Sequence, residues 1–121
     1  MEKITVPAGH VLIEQGTIDD SLYFLEAGEI TIWLQLQNKE TRLAKSGAGT
    51  IIGEMGFYAK EPRSATVKTE TPCVLYVLTE KNLQELEQSD PQMAVNFHKQ
   101  IIHILSLRLL QMNAALESIL K

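Results

Sequence analysis

The residues best suited to chemistry lie in one short segment that combines two glycines, a glutamate and an arginine. Gly53, Glu54 and Gly56 are close neighbours, and Arg63 follows in the run Pro62–Val67. Glycine leaves bare backbone where a ligand can approach closely, and a helix that starts between the glycines offers free N–H groups. The guanidinium of Arg63 supplies paired donors to a phosphate, and the Glu54 carboxylate can accept from a hydroxyl. The segment therefore indicates a site for a ligand with one phosphate beside a free hydroxyl, such as a nucleotide or sugar phosphate.

The same spacing also fits a structural role. A glutamate and an arginine nine positions apart, like Glu54 and Arg63, occur beside glycines in many loops. Their ion pair would then hold a turn in place, with no ligand involved. Spacing alone leaves both interpretations open.

The order of these residues resembles a known motif. The run from Gly53 to Val67 is similar to the phosphate-binding cassette of the cyclic-nucleotide-binding domain family, in which Gly-Glu and a helical turn precede Arg, a small residue, Ala and Ser or Thr. It most resembles the version in bacterial catabolite activator proteins, which share Gly and Ser at the positions of Gly56 and Ser64. Kinase regulatory subunits usually have Ala at both positions. Ile52 departs from the Phe often found before Gly-Glu.

The resemblance extends over most of the chain. It implies that the strands before and after the cassette belong to the same domain. The segments similar to the family's strands are 7–9, 15–16, 21–25 with Gly28, 47–53 and 73–78.

The resemblance implies a role for each cassette residue. Glu54 would accept from the ribose 2′-hydroxyl, and Arg63 would pair with the exocyclic phosphate oxygens. Ser64 would donate a hydrogen bond to the phosphate, and the small side chain of Ala65 would keep the wall of the pocket close to the ligand. The main chain at Gly53, Met55 and Gly56 would supply N–H groups at the start of a helix. The implied ligand is cAMP or cGMP, and no other cofactor is expected.

A helix that caps the base is a further implication of the family. Arg108, Gln111 and Asn113 are polar residues on the predicted long helix, and Asn113 falls near a polar position of the catabolite activators. Asn113 is therefore a candidate base contact, with a solvated helix face as the alternative. The resemblance of Ser64 and the cassette to the activators favours cAMP over cGMP, although Ser there can also suit guanine.

Composition predicts one compact, soluble domain over residues 1–121. The net charge is −4, and the arginines are only at positions 42, 63 and 108, so no basic surface for nucleic acid is expected. The single Cys73 argues against a disulfide scaffold and favours a reducing compartment. The apolar-rich stretch 101–120 is interrupted by polar residues, which predicts an amphipathic helix and not a membrane span. The expected location is the cytoplasm, as the cytoplasmic domain of an inner-membrane protein.

Residues 1–78 have the pattern of short strands separated by Gly, Pro, Asn and Asp. The pattern predicts a mainly β fold, a jelly-roll barrel or double-stranded β-helix. In the run from Ile30 to Leu34, apolar residues alternate with Thr31 and Trp33, which predicts one buried face. The predicted strands are Val11–Ile13, Leu22–Leu25, Ile30–Leu34, Thr41–Ala44, Thr66–Thr69 and Val74–Leu78, with a hairpin tip at 37–40.

Residues 79–121 are predicted to be helical. Thr79 is a suitable N-cap for a short helix that ends near Gln88. Ser89 or Asp90 then caps a long helix that has Pro91 in its first turn and ends near Leu120. Its apolar residues repeat with the 3, 4 spacing of a heptad seam, which favours a parallel homodimer over packing on the barrel alone. The seam residues are Ile102, Leu105, Leu109, Met112, Leu116 and Ile119.

Catalysis is not expected. His10, His98 and His103 are scattered and form no predicted metal cluster, and Cys73 and Ser64 lack the neighbours of a nucleophile. An extended set of features resembles the C-terminal domain of bacterial sulfate-permease-family transporters, namely the cassette run 57–67, the helix start 89–91, the pair 97–98 and the run Asn113–Ser118. The chain is thus predicted to be a sensor that controls such a transporter. The alternatives are the sensor half of a transcription regulator, a channel domain, or a non-binding dimerisation or docking module.

Overall fold

A computed structural model describes residues 2–120 as eight strands and three helices. The chain divides into two compact units, of which the first ends at Asn82 and the second begins at Leu83. The elements are β1 Glu2–Val6, β2 Val11–Ile13, β3 Ser21–Ala27, β4 Ile30–Leu36, β5 Lys39–Ser46, β6 Ile51–Ile52, α1 Glu54–Ala59, β7 Thr66–Thr69, β8 Cys73–Thr79, α2 Glu80–Ser89 and α3 Pro91–Leu120.

The strands of the first unit form two four-stranded antiparallel sheets. Their orders are β1-β8-β3-β6 and β2-β7-β4-β5, so neighbours in each sheet are mostly distant in sequence. This arrangement confirms the predicted jelly-roll class with a short and a long helix after it. Among residues 2–120, strand pairing forms two separate sheets and not one closed barrel.

The core of the first unit is aliphatic and draws on both sheets. Leu75 on β8 and Ile30 on β4 have no exposed surface, and each belongs to a different sheet. Burying one such side chain contributes about 1.5–3 kcal/mol relative to leaving it in water. The cluster consists of Ile13, Leu25, Ile30, Ile52, Val67, Cys73 and Leu75.

Strand β4 differs from the prediction of one buried face. Ile30 is fully buried as expected, but Thr31 on the opposite face is also buried, with 1% of its surface exposed. The Trp33 side chain is the reason, because its indole Nε1 donates to Thr31 Oγ1 at 2.9 Å. The ammonium of Lys68 lies 4.8 Å from the centre of the Trp33 ring and adds a cation–π contact. The aromatic residue therefore covers a polar one on the face predicted to be open.

Two turns set the lengths of the neighbouring strands. The β4–β5 hairpin turns at Gln37 and Asn38, and Gln37 has a φ of 57°. Lys39 and Glu40, predicted to lie in the tip, instead begin β5. The predicted strand over 47–53 is reduced to the two residues of β6. A turn precedes β6, in which Gly49 has a φ of 93° and its N donates to Leu25 O of β3.

The caps of the two later helices confirm the sequence prediction. Thr79 Oγ1 accepts from Asn82 N at 3.2 Å at the start of α2. Asp90 Oδ1 accepts from Met93 N at 3.2 Å at the start of α3, with Pro91 as its first residue. Each cap satisfies an N–H group that the helix itself leaves unpaired. Within residues 2–120, no helix is both long and apolar enough to cross a membrane.

Candidate functional site

Two chain segments, far apart in sequence, run beside each other next to α1. Arg63 N donates to Thr17 O at 2.8 Å, and Gly16 N donates to Arg63 O at 2.8 Å. These reciprocal main-chain bonds fix the backbone of Arg63 against the loop that joins β2 to β3. The same loop carries Asp19 and leads directly into Ser21 at the start of β3.

The side chain of Arg63 lies inside this junction, and the residue is 5% exposed. Its Nε donates to Asp19 Oδ2 at 3.2 Å, and its Nη2 forms a short contact with Asp19 Oδ1. Nη2 also donates to Ser21 O at 2.6 Å, and Nη1 donates to Gly53 O at 2.6 Å. A buried guanidinium is stable only when such partners replace water. Arg63 is thus held by one carboxylate and by three main-chain carbonyls, those of Gly53, Ser21 and, at 3.4 Å, Asp19.

The two glycines of the cassette make room for this guanidinium. A Cβ atom on Gly56 would lie 2.5 Å from Arg63 Nη1 and 2.8 Å from its Cζ. A Cβ atom on Gly53 would lie 2.7 Å from Nη1, and the φ of Gly53 is 89°. The sequence interpretation assigned this open backbone to a ligand. In the structure the Arg63 side chain occupies the space, so the glycines first serve the packing of the arginine.

Asp19 is the acidic partner that the sequence analysis missed. Its carboxylate accepts from Arg63 and, through Oδ1, from Ser21 N at 2.9 Å. Burial raises the pKa of this carboxyl, but the hydrogen bonds from Arg63 and Ser21 and the Arg63 charge outweigh burial, so its pKa is below the ordinary value. The hydrogen bond to the amide two residues later is typical of Asp before a strand, but that local signal does not identify Arg63 as the second partner.

The pKa of the nearby Tyr23 hydroxyl is shifted by burial and by the same two charges, those of Asp19 and Arg63. Burial raises the pKa of Tyr23, and the negative charge of Asp19 raises it further, against the lowering effects of Ser21 and Arg63. Tyr23 is half-buried on β3, two residues after Ser21, whose carbonyl oxygen accepts from Arg63 Nη2. The Tyr23 hydroxyl therefore stays protonated over a wider pH range than a free tyrosine, chiefly because it is buried.

Helix α1 follows Gly53 and holds the rest of the cassette. Gly53 O accepts from Phe57 N at 3.0 Å as well as from Arg63, and the Phe57 side chain is 2% exposed. The helix ends at Lys60, whose φ is 61° and whose ammonium lies 2.6 Å from Glu80 Oε2. The buried phenyl ring packs the middle of α1 against the protein, and the ion pair lies just after its last residue.

The structure gathers most of the predicted site residues into one region of the first unit. Gly53 precedes α1, while half-buried Glu54, exposed Met55 and buried Gly56 lie in its first turn. Exposed Ser64 and half-buried Ala65 follow Arg63 in a bend before β7. Asn113 is exposed on α3, in the second unit, and its contact with a base stays a prediction.

The alternative role of Arg63, an ion pair that holds a turn in place, is observed with the Asp19 carboxylate as a partner. The ion pair formed by Arg63 is with Asp19, whose carboxylate side chain is 36% exposed. The residue types implied for ligand contacts are thus in place around an arginine that already has an internal counterion. Within residues 2–120, no group of three or more His, Cys, Asp and Glu side chains is placed to hold a metal ion.

The sequence also matches a known protein family. Residues 3–90 match the family model described as the cyclic nucleotide-binding domain. A cyclic nucleotide-gated potassium channel of Rhizobium etli is 34% identical over 94 residues, which cover 78% of this chain. The chain spans about a quarter of that channel, 25% of its length.

Two solved structures are similar in fold. A cyclic nucleotide-binding domain from Methylobacillus flagellatus has a TM-score of 0.83 and 28% identity, covering 90% of this chain and 62% of that one. The regulatory domain of Toxoplasma gondii PKA, crystallised with cAMP, has a TM-score of 0.66 and 25% identity, covering 69% of this chain and 32% of that one.

Proposed function

Because the chain belongs to the cyclic nucleotide-binding domain family, we propose that it is a regulatory domain that senses a cyclic nucleotide, with cAMP favoured. The observation that carries the proposal is the placement of Arg63 against Gly53 and Gly56 at the start of α1. A guanidinium at that point, next to the first N–H groups of a helix, is suited to a phosphate. Ser64 and the cAMP-bound Toxoplasma domain support cAMP as the nucleotide.

The proposed contacts follow the cassette. Arg63 and the main chain at Met55 and Gly56 bind the cyclic phosphate, and Ser64 adds a donor. Glu54 accepts from the ribose 2′-hydroxyl, the one hydroxyl that a 3′,5′-cyclic phosphate leaves free. Ala65 lines the wall beside the phosphate. These roles need binding and orientation only, and we propose no catalytic step and no metal or other cofactor.

Calorimetric titration with cAMP and cGMP tests the proposal. Wild type should bind one nucleotide in the micromolar range, and Arg63→Ala should lose about 2–4 kcal/mol of binding free energy because the phosphate loses its counterion. Arg42→Ala is the matched control, since Arg42 is an exposed arginine on β5 outside the cassette. Circular dichroism checks that each variant is folded.

Absence of heat and of a thermal shift with either nucleotide at millimolar concentration would contradict nucleotide binding. The chain would then be a relative of the family that keeps the fold for dimerisation or docking. Binding of cGMP in preference to cAMP would retain the sensor and correct its base preference.

The attached protein is a separate part of the proposal. The chain covers 25% of the length of the Rhizobium protein, which is a potassium channel. We propose that this chain likewise regulates a membrane protein, and does so from the cytoplasmic side. The channel relative supports an ion channel as host, while the resemblance of the run Asn113–Ser118 supports a sulfate-permease-family transporter. A transcription regulator is the third possibility. We propose no nucleic-acid contact by this chain, whose net charge is −4.

A homodimer through α3 is a second proposal, favoured by the exposure of the predicted seam. Most of its side chains are more than half exposed in the single chain, although they repeat with heptad spacing. In a parallel pair, Arg108 would face Asn113 of the second copy, a neutral acceptor and not a like charge. The exposed seam residues are Ile102, Leu109, Met112, Leu116 and Ile119.

Light scattering after size exclusion distinguishes the states. Leu109→Glu should convert a wild-type dimer to a monomer, because it places a charge in the apolar seam. Leu110→Glu is the matched control, since Leu110 is 64% exposed but lies outside the 3, 4 repeat. A monomeric wild type, or equal loss of the dimer in both variants, would contradict pairing through this seam.

A further inference from the structure

The side chain of Gln15 is a hydrogen-bonding partner of β4 near the point where β7 begins. Its Oε1 accepts from Gln35 N at 2.8 Å, and its Nε2 donates to Gln35 O at 3.1 Å. One carboxamide thus satisfies both main-chain groups of a strand residue, as the opposite residue of an antiparallel strand would do. Gln15 N also donates to Thr66 Oγ1 at 3.0 Å, which places Gln15 beside the first residue of β7.

The register of the sheet indicates which residue the Gln15 side chain replaces. The ladder between β4 and β7 ends at the pair of Trp33 and Thr66. Continuing the same register by two residues on each strand would place Ser64 opposite Gln35. A strand residue directs its N–H and C=O toward the same neighbouring strand, and in Gln35 both groups meet the carboxamide. The Gln15 side chain therefore occupies the position in the ladder that Ser64 would otherwise take.

The segment before β7 is bonded on its other side to the residues that follow Gln15. Arg63 N donates to Thr17 O, and Gly16 N donates to Arg63 O, each at 2.8 Å. Ser64 follows in a bend, is exposed and forms no hydrogen bond with residues 2–120. Its amide and hydroxyl thus remain available for a ligand, although an acceptor and a donor of β4 lie at the matching register position.

Two pairings therefore compete for the main chain of Gln35. Without the Gln15 carboxamide, the N–H and C=O of Gln35 would need another partner, and Ser64 is next in register. Pairing with Ser64 would extend β7 by two residues and straighten the bend at Ser64 and Ala65. The Ser64 amide would then be bonded within the sheet and would be lost to a ligand.

We propose that Gln15 is a positioning residue, which takes the place of Ser64 beside β4 and so keeps the bend at Ser64 and Ala65 open to the ligand phosphate. This inference rests on the proposed function, because the phosphate is that of a cyclic nucleotide. Gln15 acts through Ser64 and not by touching the ligand. A side chain from the loop after β2 thus determines where β7 begins and which donors the cassette presents.

Gln15→Met should weaken nucleotide binding, because it removes both bonds to Gln35 at a similar side-chain length. Ser64 then pairs with Gln35 for part of the time, and the dissociation constant for cAMP should rise about three- to tenfold. In a Ser64→Ala background the same substitution should raise the constant less, because the hydroxyl that Gln15 positions is already absent. A merely structural role of Gln15 would weaken binding equally in both backgrounds.

The experiment combines calorimetric titration with cAMP and amide hydrogen exchange, measured by NMR without nucleotide. In wild type, the Gln35 amide should exchange slowly and the Ser64 amide rapidly. In Gln15→Met, the Ser64 amide should become protected, because it then donates to Gln35 O. Gln84→Met is the matched control, since Gln84 is an exposed glutamine on α2, and it should leave both exchange and binding unchanged.

The inference and the proposed function fail separately. An unprotected Ser64 amide in Gln15→Met, or equal weakening of binding with and without the Ser64 hydroxyl, would overturn the role of Gln15 even if wild type binds cAMP. A wild type that binds no nucleotide would overturn the proposed function, while hydrogen exchange would still decide which residue pairs with Gln35. If Gln15→Met does not fold, exchange in wild type decides, and a Ser64 amide as protected as that of Gln35 would overturn the inference.

Discussion

The Asp19 carboxylate and the Arg63 guanidinium, 44 positions apart in sequence, form a two-point ion pair that places the arginine beneath the start of α1. Main-chain bonds between Arg63 and the Gly16–Thr17 segment bring the two side chains together. The pair is asymmetric, since the Arg63 side chain is 3% exposed and that of Asp19 36%. The carboxylate is therefore partly open to solvent, whereas the guanidinium is enclosed by the protein.

Gly56→Ala should destabilise the protein because the added methyl would lie 2.5 Å from Arg63 Nη1. The better helix propensity of alanine offsets part of this strain, so we expect a net loss of about 1–2 kcal/mol in the free energy of unfolding. Urea denaturation measures it. Gly47→Ala is the control, since its Cβ would meet only Gly28 O at 4.0 Å. Equal stability of the two variants would show that the guanidinium adjusts without cost.

A nucleotide without the ribose 2′-hydroxyl should show which protein group accepts a hydrogen bond from it. If Glu54 accepts from the 2′-hydroxyl, 2′-deoxy-cAMP should bind wild type more weakly than cAMP by about 1–3 kcal/mol. In Glu54→Ala the two nucleotides should bind almost equally, because the acceptor is absent from both complexes. Titration of both proteins with both ligands gives the coupling free energy. A coupling near zero would assign the hydroxyl to another group.

Lowering the pH should destabilise the folded protein, because it protonates the Asp19 carboxylate. Burial raises the pKa of this carboxyl, but the Arg63 and Ser21 contacts lower it more, and the net pKa in the folded state is below the ordinary value. Its stabilising contribution is therefore complete above the unfolded pKa of about 3.9 and is lost as the pH falls through the lowered folded pKa. Melting temperatures of wild type and Asp19→Asn should differ at neutral pH and converge in strong acid. A difference that is independent of pH would exclude this carboxyl as its source.

The buried Thr31 hydroxyl should matter to the sheet that carries β4. Thr31→Val removes the acceptor of Trp33 Nε1, which lies 2.9 Å from Thr31 Oγ1, at nearly unchanged volume. We expect a loss of about 1–2 kcal/mol in the free energy of unfolding. The only tryptophan of the chain, Trp33, also reports the change by fluorescence. Thr41→Val, on the exposed part of β5, should change stability little, and an effect as large as that of Thr31→Val would contradict the hydrogen-bond explanation.

Local patterns in the sequence were sufficient for most of the secondary structure. Val11–Ile13 and Thr66–Thr69 form strands with the predicted bounds, and Asp90 caps the long helix as predicted. These features depend on side-chain alternation, β-branched residues and capping groups within a few positions of one another. The buried Thr31 departs from the pattern because a bulky neighbour, Trp33, folds over it.

The sequence alone also determined the cassette, since its glycines, Glu54 and Arg63 are adjacent or nearly so and match the order of a family motif. Only the tertiary structure decided what Arg63 contacts. Its carboxylate partner, Asp19, comes from a loop before β3, and the sheet order brings that loop to the cassette through main-chain bonds between distant segments. No local pattern encodes such a contact, because the pairing of strands distant in sequence, and not the neighbouring residues, determines which buried charges meet.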